Sequence, residues 1–379
     1  MTGAVDLDAD VVIAGAGVIG LAVAAELART HSVVVLERND SYGLETTAHN
    51  SGVVHAGIYY PTESWKHRLC LAGNEALYAW CEQYGVPARR TGKLIVALAG
   101  DAADGLDVVR EQARRNEVPG MRPLTAAEAH VLEPAVPATA ALFSERSGIV
   151  DALAFTRSLE AVARERGALV AYRHTVERAT RTGDGFRFDV RDPEGDAAVL
   201  RASMFVNATG HGAPRLASML GYPLDGEEGV PRLRQVMNRG RYYDVIGSEA
   251  ARTVSHLVYP LPRPALEGLG VHLTLDMDGG LHLGPDTEWL SEDAVLDYRN
   301  DEVRRAAFLD AGRRLLPGLR DDEIAPGQVG YRPKLSGPGE PEADFLLWHD
   351  RGYVHLGGIE SPGLTASLPL ATAVAAMLR

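Results

Sequence analysis

The sequence predicts an α/β fold of two lobes, one begun by a strand–helix–strand unit at the N-terminus and the other an α+β lobe inserted into it. Three observations predict it. The first 36 residues run through a buried strand, a glycine-rich turn, an apolar helix and a second buried strand. That α/β pattern breaks off, resumes over residues 149–221 and resumes again at the C-terminus, whereas residues 230–329 are richer in alternating strands. A chain of 379 residues, 46% hydrophobic and 23% charged, is also long enough to build two lobes with a cleft between them.

Taken in order, residues 10–14 read as a buried strand, 18–29 as a helix and 32–36 as a second buried strand. A helix is expected over 64–84, a strand over 93–98 and a helix over 102–116, followed by a proline-punctuated stretch to residue 137 that reads as a connection, not a core. The α/β pattern then gives a helix at 155–166, a strand at 169–173, a charged hairpin and a strand at 204–208. One amphipathic helix is expected near 303–316. Two short strands, 345–349 and 353–356, precede a closing apolar helix ending at Leu378, with Ser367 as its N-cap and Pro369 in its first turn. These boundaries give 1–85, 141–229 and 330–379 to the first lobe, and 86–140 and 230–329 to the second. No internal repeat or low-complexity tract is present, which argues against a solenoid or scaffold.

Composition excludes several functions. A formal charge of -13 offers no basic face for nucleic acid, so an anionic ligand must be drawn by a local cationic pocket. The longest apolar stretch, residues 11–25, is too short and glycine-rich to span a bilayer, and Asp6, Asp8 and Asp10 before it speak against a signal peptide. Cys70 and Cys81 fall on one expected helix, roughly 16 Å apart at the ~1.5 Å rise per residue, too far for a disulfide. That agrees with a reducing, cytoplasmic location. The histidines show no metal-ligand spacing, and no nucleophile elbow is present.

Gly15-Ala16-Gly17-Val18-Ile19-Gly20 follows a buried strand and opens a helix, and Glu37 ends the next strand about twenty residues on, as dinucleotide binding requires. Gly15 serves the tight turn, Gly17 lets the backbone approach a pyrophosphate, and Gly20 lets the helix pack on the strand. The N–H groups of Val18 and Ile19 lie at a positive helix end, and Glu37 suits ribose hydroxyls. NAD and FAD share this half of the molecule, so other segments must decide.

There the chain resembles the glutathione-reductase-like FAD proteins, whose N-terminal unit is completed by a distant strand ending in an Ala-Thr-Gly turn, here Val206-Asn207-Ala208-Thr209-Gly210. The resemblance implies that the backbone of Val176 holds adenine. A second, more extensive resemblance begins at Thr47-Ala48-His49-Asn50-Ser51-Gly52-Val53-Val54-His55-Ala56-Gly57-Ile58-Tyr59-Tyr60-Pro61, a run too polar for a core element. It continues through Ser64-Trp65-Lys66, Cys70, Thr91-Gly92-Lys93-Leu94-Ile95-Val96, Tyr259-Pro260, Gly270-Val271-His272-Leu273-Thr274 and Leu283-Gly284-Pro285. In order and extent these segments resemble the FAD-dependent L-2-hydroxyglutarate dehydrogenases, of the D-amino-acid-oxidase type of fold. The fold implied is an FAD-binding Rossmann domain with an inserted antiparallel-sheet substrate domain.

The activity implied is hydride transfer from the Cα of a 2-hydroxy acid to FAD, with a base taking the hydroxyl proton. Histidine suits that task, being neutral yet basic near its ordinary pKa of about 6.5. His49, His55 and His272 are the candidates, the last two favoured, with Tyr259 beside them. Of the 38 basic residues only Lys66, Lys93 and Lys334 are lysines, and all fall in or beside these segments. A chain that otherwise uses arginine keeps lysine where a compact point charge is needed, to hold substrate carboxylates or stabilise negative charge on reduced flavin; solvated surface charge is the alternative. Lys66 therefore joins the catalytic candidates.

Gly330-Tyr331-Arg332-Pro333-Lys334 resembles the Gly-x-Arg-Pro turn of glycine-oxidase-like enzymes, which implies that Arg332 clamps a substrate carboxylate or contacts flavin. Gly357-Gly358-Ile359-Glu360-Ser361-Pro362-Gly363-Leu364-Thr365 resembles the flavin-contacting turn of the same superfamily. With Arg38, Thr46, Thr47, His49, Asn50, Ser51 and Gly52 these complete the implied cofactor set. The segments at 331–334 and 358–362 differ from those expected of the hydroxyglutarate enzymes, which leaves the substrate's identity open. An amine or amino-acid oxidase of the glycine or sarcosine type is the alternative, and a flavin-binding protein with a structural or tRNA-modifying role a third reading, against which the acidic charge counts. Oxygen, a quinone and a carrier protein all stay open as electron acceptor.

Overall fold

The computed structural model describes residues 6–227, 229–261, 270–291 and 294–379. Its chain opens with β1 (Asp6–Ala14), α1 (Val18–Leu27) and β2 (Val33–Leu36), the expected βαβ unit. There follow β3 (Val53–Val54), α2 (Trp65–Tyr84), β4 (Ala88–Arg89), β5 (Lys93–Ala97), α3 (Gly105–Arg115), β6 (Met121–Thr125), α4 (Ala126–Leu132), β7 (Ala140–Ser144) and β8 (Gly148–Val150). Next come α5 (Ala152–Glu165), β9 (Leu169–Ala171), β10 (Thr175–Arg181), β11 (Phe186–Arg191), β12 (Ala197–Asn207) and α6 (Ala213–Met219). The chain continues with β13 (Val236–Val245), β14 (Leu257–Pro260), β15 (His272–Leu275), β16 (Leu281–Gly284), β17 (Glu288–Trp289), α7 (Arg305–Leu315) and β18 (Ile324–Lys334). It ends with β19 (Leu346–Asp350), β20 (Tyr353–Gly357) and α8 (Gly363–Met377).

Contacts group these elements into two compact units, Met1–Ala48 with Ala152–Met237 and Arg332–Arg379, and His49–Asp151 with Asn238–Tyr331. In the first unit β9, β2, β1, β12 and β20 lie side by side and parallel. Residues 11–14 of β1 and the whole of β2 are buried runs, as a parallel sheet covered on both faces demands. Helix α1, apolar on every side, packs against α5 and α8. The long β12 also pairs antiparallel with β11, and Phe188 meets Phe205 edge-on at 4.8 Å.

The second unit is a mixed sheet in the order β17-β13-β16-β15-β14-β5-β7-β6, with β18 on β13. Helix α7 covers one face, where Phe308 packs on Tyr243 with ring centroids 4.8 Å apart. Arg239 and Arg241, alternate residues of β13, share Glu288 and Asp301, and the buried Arg241 also meets Asp286 at 2.9 Å. Alternation along the strand therefore turns Asn238, Gly240 and Tyr242 to the opposite face.

Six sequence expectations change. The first piece of the first unit ends at Ala48, not at residue 85, because Asn74 on α2 donates to the carbonyls of His55 and Arg146, and β3 and β4 flank β8. Residues 141–151 move to the second unit for the same reason. The proline-punctuated connection supplies β6 and α4, the latter started by a Thr125–Glu128 capping box, and it buries Leu124, Ala129 and Val136 in the core. The polar run after residue 47 likewise buries Val53, Val54, Ala56 and Ile58. The closing helix begins at Gly363, so Ser367 lies inside it with its hydroxyl donating to the Leu364 carbonyl, and Pro369 is interior. Residues 330–334 are the end of strand β18 and not a turn.

Candidate active site

The second unit sets two of the catalytic candidates, Tyr259 and His272, side by side across its sheet. Tyr259 on β14 is one residue past Val258, which pairs with Leu273, so it lies beside His272 on β15. The two rings stack, centroids 3.7 Å apart and planes 10° from parallel. His272 pairs in turn with Gly284 on β16. A Cβ at Gly284 would lie 2.7 Å from Cδ1 of Tyr242, so the glycine makes room for that ring between β13 and β15. On the other side Tyr259 pairs with Ile95 of β5, and Lys93, two residues earlier, points to the same face.

The Lys93 ammonium lies 3.9 Å from the Tyr259 ring centroid and 6.0 Å from that of Tyr59. Its residue is 1% exposed. Burial lowers it to about 8, against a small opposing effect of the Cys70 thiol. Burial, then the charges of Lys93 and His272, push His55 well below the usual histidine value. Burial raises Tyr59 and Tyr259, and raises Cys70 to about 12, so the phenols and thiol stay protonated. What results is a neutral imidazole beside an ammonium, in a pocket of aromatic rings.

In the first unit Gly15 takes φ +101 and its Cβ would sit 2.6 Å from the Ala208 carbonyl oxygen, while a Cβ on Gly20 would sit 1.9 Å from the Gly15 carbonyl oxygen. The turn thus requires both glycines, and it seats the Ala208-Thr209-Gly210 turn against β1. Glu37 accepts from the backbone N–H of Ala16 at 2.7 Å and of Asn39 at 2.8 Å. Thr47 accepts from the N–H of Val18 at 3.1 Å, over the start of α1. Ile19 lies in the first turn of the same helix. Arg38 is engaged with Glu45, and Thr46 meets His211 at 3.3 Å. Val176 is on β10, two residues after His174, whose N–H donates to the Glu37 carbonyl. Gln235 donates to the Gly210 carbonyl and accepts from the N–H of Gly358, both at about 2.8 Å or less, tying the two expected cofactor turns together. Ser361 and Pro362 close the second turn, and Gly363, Leu364 and Thr365 form the first turn of α8.

Other candidates fall elsewhere. The His49 ring stacks on Tyr298 at 4.0 Å, and burial lowers its pKa against a backbone hydrogen bond at Val329. Asn50 caps its own turn by accepting from the N–H of Gly52, with Ser51 between them, and its carbonyl accepts from Gln328. Lys66, 2% exposed, lies one helical turn before Cys70 on α2. Lys334, its side chain 14% exposed, pairs with Glu360 at 2.7 Å. None of the three lysines is a solvated surface charge. Arg332, part-buried, lies on β18 in the first unit. Sequence reasoning missed two amides. Gln235 carries no pattern that marks it. Asn238 is fully buried on the Tyr242 face of β13, with neither side-chain atom hydrogen-bonded among the described residues.

Among the described residues no helix is long and apolar enough to cross a membrane, and no cluster of three His, Cys, Asp or Glu residues could hold a metal. Comparison with known proteins gives a consistent picture. The profile of the FAD-dependent oxidoreductase (DAO) family matches residues 10–377. The chain is 37% identical to the mitochondrial L-2-hydroxyglutarate dehydrogenase of Arabidopsis thaliana, over 97% of its own length and 82% of that protein's. It is 27% identical to the L-2-hydroxyglutarate dehydrogenase of Escherichia coli K12, over 95% and 91% of the two chains. Among solved structures it superposes on the dithionite-reduced L-α-glycerophosphate oxidase of Mycoplasma pneumoniae with FAD bound, with a TM-score of 0.85, 24% identity and coverage of 98% and 95%. It also superposes on the glycine oxidase of Geobacillus kaustophilus, with a TM-score of 0.78, 21% identity and coverage of 98% and 94%.

Proposed function

From the premise that this chain belongs to the FAD-dependent oxidoreductase (DAO) family, we propose that it oxidises a small 2-hydroxy acid to the 2-oxo acid, with L-2-hydroxyglutarate the best single substrate. The observation that carries the proposal is the stack of His272 on Tyr259 with the Lys93 ammonium 3.9 Å from the same tyrosine ring, and His55 within electrostatic reach of both His272 and Lys93. The relatives named for L-2-hydroxyglutarate support the choice of substrate.

The first unit's residues fit FAD. Gly17 puts no side chain at the start of α1, and Glu37 keeps acceptor capacity, since a carboxylate has about four acceptor positions and two are used by backbone N–H groups. Gly15, Gly17 and Gly20 would seat the pyrophosphate, Glu37 the ribose, and Val176, Thr209 and the 358–365 turn the remainder. When bound, FAD supplies the acceptor for the hydride that leaves the substrate Cα. The chain's own part is to hold the carboxylate and take the hydroxyl proton onto an imidazole nitrogen of His55 or His272, as the carbinol becomes a carbonyl. The two buried, free cysteines are compatible with a reducing compartment.

Anaerobic titration of the purified flavoprotein tests the proposal. L-2-hydroxyglutarate is expected to bleach the flavin absorbance, and glycine and sarcosine to leave it unchanged. Bleaching by the amines alone would transfer the chain to the amine oxidases, and a colourless protein would remove the proposal altogether.

A further inference from the structure

Lys93 is a buried cation with no anion beside it among the described residues. Its ammonium makes no hydrogen bond or ion pair with any described residue, and its surroundings are two tyrosine rings, a protonated thiol and two imidazoles. Lys334 differs, since Glu360 neutralises it. Taking an ammonium out of water without a counter-ion costs several kcal/mol, and folds retain such a group where a ligand completes it. Cation–π contact with Tyr259 offsets only part of that cost.

We propose that Lys93 binds the C1 carboxylate of the 2-hydroxy acid and so delivers the neighbouring hydroxyl to the imidazoles beside it. The assignment rests on the functional reading above and deepens it. C1 and the carbinol carbon are bonded to each other, so a carboxylate held on Lys93 keeps the hydroxyl oxygen within one residue's reach of His55 and His272, the two imidazoles in electrostatic contact with one another and with the lysine row. The phenols of Tyr59 and Tyr259, held protonated by burial, remain donors to the same anion. A distal carboxylate on Lys93 would leave the carbinol several bonds away from both rings.

Lys93→Met tests it, because methionine matches the length of the stem and suits an aromatic pocket. In the FAD-loaded variant the KM for L-2-hydroxyglutarate should rise roughly 10- to 100-fold, the loss expected for one charge-assisted contact. The KM for 2-hydroxypentanoate, which lacks the distal carboxylate, should rise by a similar factor. Flavin content should be unchanged, and the melting temperature unchanged or higher, since an uncompensated buried charge is removed. A melting temperature that falls, with unchanged KM, would make Lys93 structural and overturn the proposal. A penalty for hydroxyglutarate alone would move Lys93 to the distal carboxylate and overturn the assignment to C1. Unchanged KM with a lowered flavin midpoint potential would overturn it in favour of charge stabilisation. If no hydroxy acid bleaches the wild-type flavin, the functional reading fails separately. Titrating the flavin spectrum with propionate and glutarate then decides the lysine alone: a saturable shift weakened in Lys93→Met supports it, and identical or absent shifts in both proteins overturn it.

Discussion

At the scale of single residues, the imidazole and the ammonium set opposite limits on pH. His55 must be neutral to accept a proton, and its pKa lies well below the ordinary value because burial and the neighbouring charges disfavour the imidazolium. Activity on a 2-hydroxy acid should therefore persist below pH 6.5 and fall only as acid protonates the ring. Lys93 must be charged to hold an anion, and it loses its proton as pH rises through about 8, in a pocket it shares with Tyr59, Tyr259, Cys70, His55 and His272. The profile of kcat/KM should accordingly be a bell, its alkaline limb near 8. His55→Gln should lower kcat about 100-fold or more and abolish the acid limb, leaving the alkaline limb in place. An unchanged acid limb would pass the base role to His272. The sequence named both histidines and Tyr259 through the segments that carry them. The scarcity of lysine singled out Lys66, Lys93 and Lys334 together and put only Lys66 among the catalytic candidates, because burial without a counter-ion, which marks Lys93, is a property of three-dimensional surroundings. Asn238 was illegible: a lone amide on a strand has no periodicity, and only its two unpartnered atoms mark it.

At the scale of elements, the βαβ unit was legible in detail because each of its glycines meets a different atom. A Cβ on Gly20 would collide with the Gly15 carbonyl, so a larger residue there separates α1 from β1 and damages the fold. Gly17 is otherwise placed. Its backbone is extended, φ -75 and ψ 177, which any residue adopts, and its Cβ would meet only the Thr47 hydroxyl at 3.2 Å. Gly17→Val should therefore fold, with secondary structure preserved by circular dichroism, yet purify without the yellow flavin, since the valine methyls occupy the space over the helix N-terminus. A yellow variant would take the pyrophosphate away from this turn. The elements read less well where a local signal competed with tertiary context. Prolines at 119, 123, 134 and 137 announced a connection, but Pro123 stands in β6, a two-faced edge strand on β7 that tolerates a missing N–H. The Thr125–Glu128 pair that starts α4 was a helix signal available in the sequence. Ser367 had the chemistry of an N-cap, but Gly363 to Thr365 already wind as helix, so the hydroxyl turned back onto the Leu364 carbonyl.

At the scale of the whole molecule, the two units were expected, but their borders shifted because contacts, not strand periodicity, decide membership. Helix α2 follows the βαβ unit in sequence and is amphipathic, as a helix of either unit would be. Only the reach of Asn74 to His55 and Arg146 reveals the side to which it belongs. The net charge of -13 acts at this scale as well. A hydroxy dicarboxylate approaches an acidic molecule against its overall field, while the cation proposed to receive it is buried and little screened by salt. Raising ionic strength from about 0.01 to 0.15 M shortens the screening length from roughly 30 to 8 Å, which removes the long-range repulsion and leaves the short contact with Lys93 nearly intact. The kcat/KM for L-2-hydroxyglutarate should consequently rise, by about two-fold, over that range, and the singly charged 2-hydroxypentanoate should respond less. Steady-state kinetics at matched pH checks both. A fall with salt for the dianion would show that exposed basic groups at the entrance govern capture, and that the buried ammonium is not the cation that draws the substrate in.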